Sequence, residues 1–144
     1  MQMHLALTTT QFEKSVEFYT DLLGVPPAKQ RDGYATFRPD DLALRLSIME
    51  GAAPKLAPGE HFGVHISDPE VLQRAWTRMQ SKGYLSTEEQ GVACCMAQQD
   101  KLWLTDPDGR PWEIYIVLED TLDADQQRTD VCCVGNAPVA GCCP

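Results

Sequence analysis

The stretch Leu102-Trp103-Leu104-Thr105-Asp106-Pro107-Asp108-Gly109-Arg110-Pro111-Trp112-Glu113-Ile114-Tyr115-Ile116-Val117-Leu118 decides how the chain is read. Asp106-Pro107-Asp108-Gly109 has the composition of a tight turn, with apolar alternation on both sides of it. Two strands therefore meet there, one from Leu102 to Thr105 and one from Trp112 to Leu118, and Cys94 to Gln98 offers a further strand upstream. Farther back, Asp68-Pro69 opens a helix, with the aspartate as cap and the proline in the first turn. Leu72, Ala75, Trp76 and Met79 line one face of that helix, Gly83 ends it, and His61 to Ile66 is the strand before it.

The same order stands in the first half. Met3 to Thr8 reads as a strand, and Thr10 to Leu23 as an amphipathic helix with Phe12, Val16, Phe18, Tyr19, Leu22 and Leu23 at helical spacing. Thr10 and Glu13 have the spacing of a capping box, and Gly24 with Pro26-Pro27 stops the helix. Tyr34 to Phe37 and Leu42 to Met49 read as strands, with room for one more short strand. Residues 51–59 are a linker rich in Gly, Ala and Pro. The chain is therefore an internal repeat, with His4 matching His61 and Leu44-Arg45-Leu46-Ser47-Ile48 matching Trp112-Glu113-Ile114-Tyr115-Ile116. The expected fold is α+β: a first βαβββ module over residues 1–52, a second over 60–120, and a shared cleft between their sheets. Residues 121–144 read as a polar tail.

Composition narrows the function. A net charge of −9 without a basic stripe argues against a nucleic-acid partner, because phosphate contacts need clustered Lys and Arg. No apolar run has the length that crosses a bilayer, and the N-terminus has no basic region followed by an apolar one, so neither a membrane partner nor export is expected. All six cysteines stand in adjacent pairs: Cys94-Cys95, Cys132-Cys133 and Cys142-Cys143. Neighbouring Cα atoms lie about 3.8 Å apart, short of the usual disulfide span, so reduced thiols in the cytoplasm are the expected state. Two thiolates side by side suit a soft ion such as As(III) or Cd(II).

His4 and His61 begin the first strand of their halves, and Glu113 sits in an otherwise apolar last strand, where a carboxylate needs a partner or a metal. Two histidines and one carboxylate with open positions form the donor set of non-haem Fe(II) oxygenases. His65, on the same face as His61, competes with it as a ligand; the repeat favours His61. Arg45, read as the counterpart of Glu113, cannot bind a metal and leaves that quadrant free.

The two-half layout resembles the vicinal oxygen chelate superfamily, which includes glyoxalase I and extradiol dioxygenases. The segment from Cys94-Cys95-Met96 through Lys101-Leu102-Trp103 to Gly109-Arg110-Pro111-Trp112-Glu113 is similar to the organoarsenical carbon–arsenic lyases and to the cadmium-induced proteins. The resemblance implies an Fe(II)-dependent dioxygenase that cleaves trivalent organoarsenicals with O2. Cys94 and Cys95 match the thiols that hold arsenic, and His61 and Glu113 match metal ligands. His4 departs, since the family has glutamine there, yet histidine still coordinates well. Lys101 belongs to the same motif with no assigned role, and the tail cysteine pairs are expected to capture or release arsenite. Two other readings stand beside this one. One is a protein that sequesters Cd(II) or As(III); the other is a glyoxalase-type lyase or thiol transferase, which would want a fourth ligand where Arg45 stands. The oligomeric state is left open.

Overall fold

In a computed structural model, which describes residues 1–94 and 97–120, period-two alternation sorts each strand into a packed side and an open side. Along β1 (Met3–Thr9), Leu7 and Thr9 are buried and Leu5 is half-buried, while His4 and Ala6 are exposed. Along β4 (Leu44–Glu50), Leu44, Leu46 and Ile48 pack inward. These strands pair in parallel, and β3 (Tyr34–Phe37) and β2 (Lys29–Arg31) extend the sheet antiparallel, in the order β1-β4-β3-β2. Parallel pairing of β1 with β4 needs a crossover, which α1 (Phe12–Leu23) supplies.

The second half repeats this order. β5 (Phe62–His65), α2 (Pro69–Ser81), β6 (Leu85–Cys94), β7 (Ala97–Thr105) and β8 (Pro111–Asp120) give a sheet ordered β5-β8-β7-β6, with β5 and β8 parallel. The chain is thus an α+β fold of two four-stranded mixed sheets and two helices.

One apolar cluster joins the halves. It takes Leu7, Phe37, Leu46 and Ile48 from the first sheet, and Leu102, Leu104, Trp112 and Ile114 from the second. Phe18, Tyr19 and Leu22 of α1, with Ala75 and Met79 of α2, complete it. The Tyr19 ring meets Trp112 edge-on at 5.6 Å, and Phe18 meets Tyr84 at 5.1 Å. The opposite face of each sheet turns away from this core.

The β7–β8 turn ties the halves together. The buried Asp106 carboxylate accepts from the Tyr19 hydroxyl at 2.7 Å, from the Arg110 backbone N–H at 2.8 Å and from the Arg110 guanidinium at 2.9 Å. Arg110 also donates to the Thr8 carbonyl, and Gln11 to the Pro107 carbonyl. Burial foremost, with the Asp106 charge beside it, raises the Tyr19 pKa far above the ordinary phenol value, so Tyr19 stays a neutral donor.

Two details depart from the sequence reading. Thr10 does not cap α1: its N–H and hydroxyl both donate to Asp108, at 3.0 and 2.9 Å, and Gln11 takes the cap position without a side-chain bond. Residues 85–94 form a whole strand, with register shifts between Leu85 and Thr87 and between Glu89 and Val92. As the edge of the sheet it needs no apolar alternation, which is why its polar sequence hid it. Gly91 sits in the second shift at φ 59°, a left-handed conformation that favours glycine. By contrast, Asp68 caps α2 as read, accepting the Glu70 N–H at 2.8 Å, and Gly24 ends α1 in the left-handed conformation. Among the described residues, no helix is long and apolar enough to cross a membrane.

Asp108 gives the junction a pH signature. Burial pushes its pKa up, but hydrogen bonds from Thr9 and Thr10 and the Arg110 charge outweigh it and hold the carboxyl below the usual value. A depressed folded-state pKa adds stability that is fully present above the unfolded value of about 3.9 and lost as pH falls through the folded value. Denaturant unfolding against pH should therefore show Asp108→Asn less stable than the parent at neutral pH, with the difference shrinking below about pH 4. A difference independent of pH would contradict this.

Candidate metal centre

Glu113 points from β8 onto the open face of the second sheet, yet it is only 6% exposed. Its neighbours explain how a carboxylate can sit there. Trp103 stands directly across on β7, Lys101 lies on the same face two residues away, and Gly63 stands across on β5. A Cβ on Gly63 would come within 3.5 Å of Glu113 Oε2, so glycine leaves the space before that oxygen open. Lys101 Nζ lies 2.7 Å from Oε1, and both side chains are nearly inaccessible. The ammonium compensates the charge but lies off the hydrogen-bonding direction, since Oε1 has no aligned donor.

His61 faces the other oxygen. Its Nε2 lies 3.4 Å from Glu113 Oε2, and its Nδ1 lies 3.1 Å from the Gly59 carbonyl. A carbonyl only accepts, so this contact places the ring proton on Nδ1 and leaves a lone pair on Nε2. In the neutral imidazole, Nε2 and Oε2 are then two acceptors facing each other, and a cation between them satisfies both. Bonds of about 2.1 Å to each donor would span the gap at an angle of roughly 110° at the ion. The Nδ1–H to carbonyl bond is the usual outer support of a metal-binding histidine. The Trp103 ring packs edge-on against His61 at 5.1 Å and fixes its plane.

The other expected ligand lies elsewhere. His4 is on the open face of the first sheet, with Nε2 3.2 Å from Ser47 Oγ. The Ser47 hydroxyl donates to Thr36 at 3.4 Å and lies 3.4 Å from the Tyr34 hydroxyl. The Ser47 hydrogen bond foremost, aided by Thr36, Arg45 and Arg31, holds the Tyr34 pKa below the ordinary phenol value despite burial. Among the described residues, no three of His, Cys, Asp and Glu stand close enough to share an ion. The structure thus brings His61 and Glu113 together and leaves His4 on the other sheet.

The register also corrects the repeat. Leu5 pairs with Leu46, and Phe62 pairs with Trp112. With His4 matched to His61, the counterpart of Glu113 is Ser47 and not Arg45, which lies directly across from His4. The contact of His4 with Ser47 repeats that of His61 with Glu113, with a hydroxyl in place of the carboxylate. By the same register Tyr34 is the counterpart of Lys101. His65 does not face Glu113 here: its ring stacks on Tyr115 at 5.1 Å. The Cys94 backbone closes β6 opposite Ala97. Its side chain lies outside the described residues, as do Cys95, Cys132, Cys133, Cys142 and Cys143.

Comparison with known proteins fits this architecture. Residues 2–114 match the family model of the Glyoxalase/Bleomycin resistance protein/Dioxygenase superfamily. The chain is similar to a trivalent organoarsenical cleaving enzyme of Thermomonospora curvata, 37% identical with 99% of each chain covered. It is 32% identical to a cadmium-induced protein of Mycobacterium tuberculosis, with 96% of each covered. In three dimensions it resembles a glyoxalase/bleomycin resistance protein/dioxygenase of Alicyclobacillus acidocaldarius at a TM-score of 0.61 and 19% identity, over 83% of this chain and 93% of that one, a likeness of fold.

Replacing the two neighbouring histidines separates their roles. His61→Ala should lose calorimetric Co(II) binding by tenfold or more, in line with the loss of a direct donor, which costs about as much as or more than loss of an outer-shell partner. His65→Ala should bind within about twofold of the parent, having no donor role. The reverse order would move the centre to His65.

Proposed function

The chain belongs to the Glyoxalase/Bleomycin resistance protein/Dioxygenase superfamily, among the organoarsenical-cleaving and cadmium-induced proteins, and we propose that it cleaves the carbon–arsenic bond of trivalent organoarsenicals in an Fe(II)- and O2-dependent reaction. The observation that carries the reading is the opposed pair of His61 Nε2 and Glu113 Oε2, a partly exposed imidazole and a buried carboxylate 3.4 Å apart, two acceptors when the imidazole is neutral. Two relatives named for cleaving trivalent organoarsenicals, of Thermomonospora curvata and of a Bacillus strain, supply the substrate class.

In this reading His61 and Glu113 would hold iron, and His4, the third ligand expected from the sequence, lies out of reach of that pair. His4 sits on the open face of the first sheet, against Ser47. Iron, when bound, activates O2. Cys94 and Cys95 hold the arsenic as a dithiolate, which displaces its hydroxyl groups as water and fixes the direction of the organic substituent. Gly59 keeps the His61 proton on Nδ1, so the imidazole stays a donor to the ion. Trp103 shields His61 from water on one side. The atoms balance without another reductant: CH3As(OH)2 and O2 give formaldehyde and As(OH)3. The methyl carbon is oxidised, O2 is reduced, and arsenic stays trivalent. A cytoplasmic setting, where thiols stay reduced, suits the cysteine pair.

The cadmium-induced relative favours a second reading, in which the thiols sequester a soft ion and nothing is oxidised. Turnover assays decide between them. With methylarsenite and Fe(II), the protein should release arsenite in air and none under argon, with one O2 consumed per arsenite. Cys94→Ser and Cys95→Ser should each lower turnover at least 100-fold while still binding Co(II), because arsenic and iron are held by separate groups. Arsenite release under argon, or loss of Co(II) binding in the serine variants, would sink the assignment of these roles.

A further inference from the structure

The strongest group outside the ligands is Lys101. Its side chain is 5% exposed and stands in ion-pair contact with a Glu113 side chain that is 8% exposed. A buried lysine on a ligand carboxylate is an unusual choice, since its charge opposes that of any cation entering the site. The internal repeat gives the reason for looking at it closely. In the first half, where Ser47 replaces the carboxylate, the counterpart of Lys101 is Tyr34, which contacts Ser47 along the same diagonal. The ammonium accompanies the carboxylate and is replaced where the carboxylate is replaced.

The two oxygens of Glu113 are divided. Oε1 is held at 2.7 Å by Lys101, while Oε2 faces His61 and the gap left by Gly63. A free carboxylate can offer both oxygens to one ion and fill two coordination positions. With Oε1 engaged by a cation of its own, only Oε2 remains for the metal.

We propose that Lys101 is a positioning residue that withholds Glu113 Oε1 from the metal, so that Glu113 binds through a single oxygen and one more coordination position stays open for substrate or O2. The proposal rests on the metal reading given above. Lys101 also keeps the pair with Glu113 neutral overall, so the empty site folds without an uncompensated buried carboxylate. In this view the lysine weakens metal binding in exchange for an open coordination sphere. A lysine of purely structural value would have the opposite sign: its loss would loosen the carboxylate and weaken binding.

The test needs no turnover. Infrared difference spectra of Co(II)-loaded minus metal-free protein report the splitting between the two carboxylate stretches, wide for one-oxygen binding and narrow for two-oxygen binding. The parent should show the wide splitting. Lys101→Met should show the narrow one and bind Co(II) about tenfold tighter by calorimetry, because a nearby positive charge is gone and a second oxygen is free. Lys101→Arg should return the wide splitting. An unchanged splitting in Lys101→Met, or weaker binding with the fold intact by circular dichroism, would overturn the proposal. If Lys101→Met does not fold, the parent spectrum still decides, since a narrow splitting there is incompatible with a withheld Oε1. Absence of Co(II) binding by the parent, or binding that His61→Ala leaves unchanged, would instead remove the metal reading itself.

Discussion

A carboxylate placed inside a protein must be neutralised, and the open face of the second sheet is built around that requirement at Glu113. The side chain cannot reach bulk water, so each of its oxygens needs a positive partner. Lys101 meets one oxygen. The other faces His61 Nε2 at 3.4 Å, beside Gly63. A divalent ion answers this arrangement of donors. Trp103, the Gly59 carbonyl and the β7–β8 register hold these groups in place and do not themselves touch the gap.

The two halves show how one fold carries two different faces. One half presents a histidine near the start of its first strand and the other just before it, and in both it contacts the side chain at the same point of the last strand. In one half that side chain is a buried carboxylate, and in the other a serine in a hydroxyl network with Thr36 and Tyr34. The second face carries the buried carboxylate, and the first supplies hydroxyl groups and Arg45 together with His4. The core and the Asp106 junction lie on the opposite sides of the sheets, so the open faces can diverge without disturbing what holds the halves together.

Most of the fold was legible because alternation and helix punctuation are strong local signals. The Asp68 cap, the Gly24 stop and the turn at Asp106 to Gly109 all follow from chain-local chemistry. Matching Arg45 to Glu113 failed for a definite reason. Leu44, Leu46 and Ile48 resemble Trp112, Ile114 and Ile116 under any shift of two residues, because a strand repeats every second residue. Only hydrogen-bond register fixes such a shift, and it selects Ser47. Thr10 is diverted from its capping role by Asp108, which is 98 positions away in sequence, and no local pattern signals that contact. Glu113 and His61 could be picked out as isolated oddities, whereas the role of Lys101 depends on a diagonal between neighbouring strands.

The central claim is that a divalent ion lies between His61 and Glu113. Anomalous diffraction from crystals grown with Fe(II) or Co(II), recorded on both sides of the metal absorption edge, tests it directly. The account predicts one strong peak about 2.0–2.3 Å from both His61 Nε2 and Glu113 Oε2, with Oε1 still on Lys101. A peak centred on the cysteine pair, with none between His61 and Glu113, would contradict it.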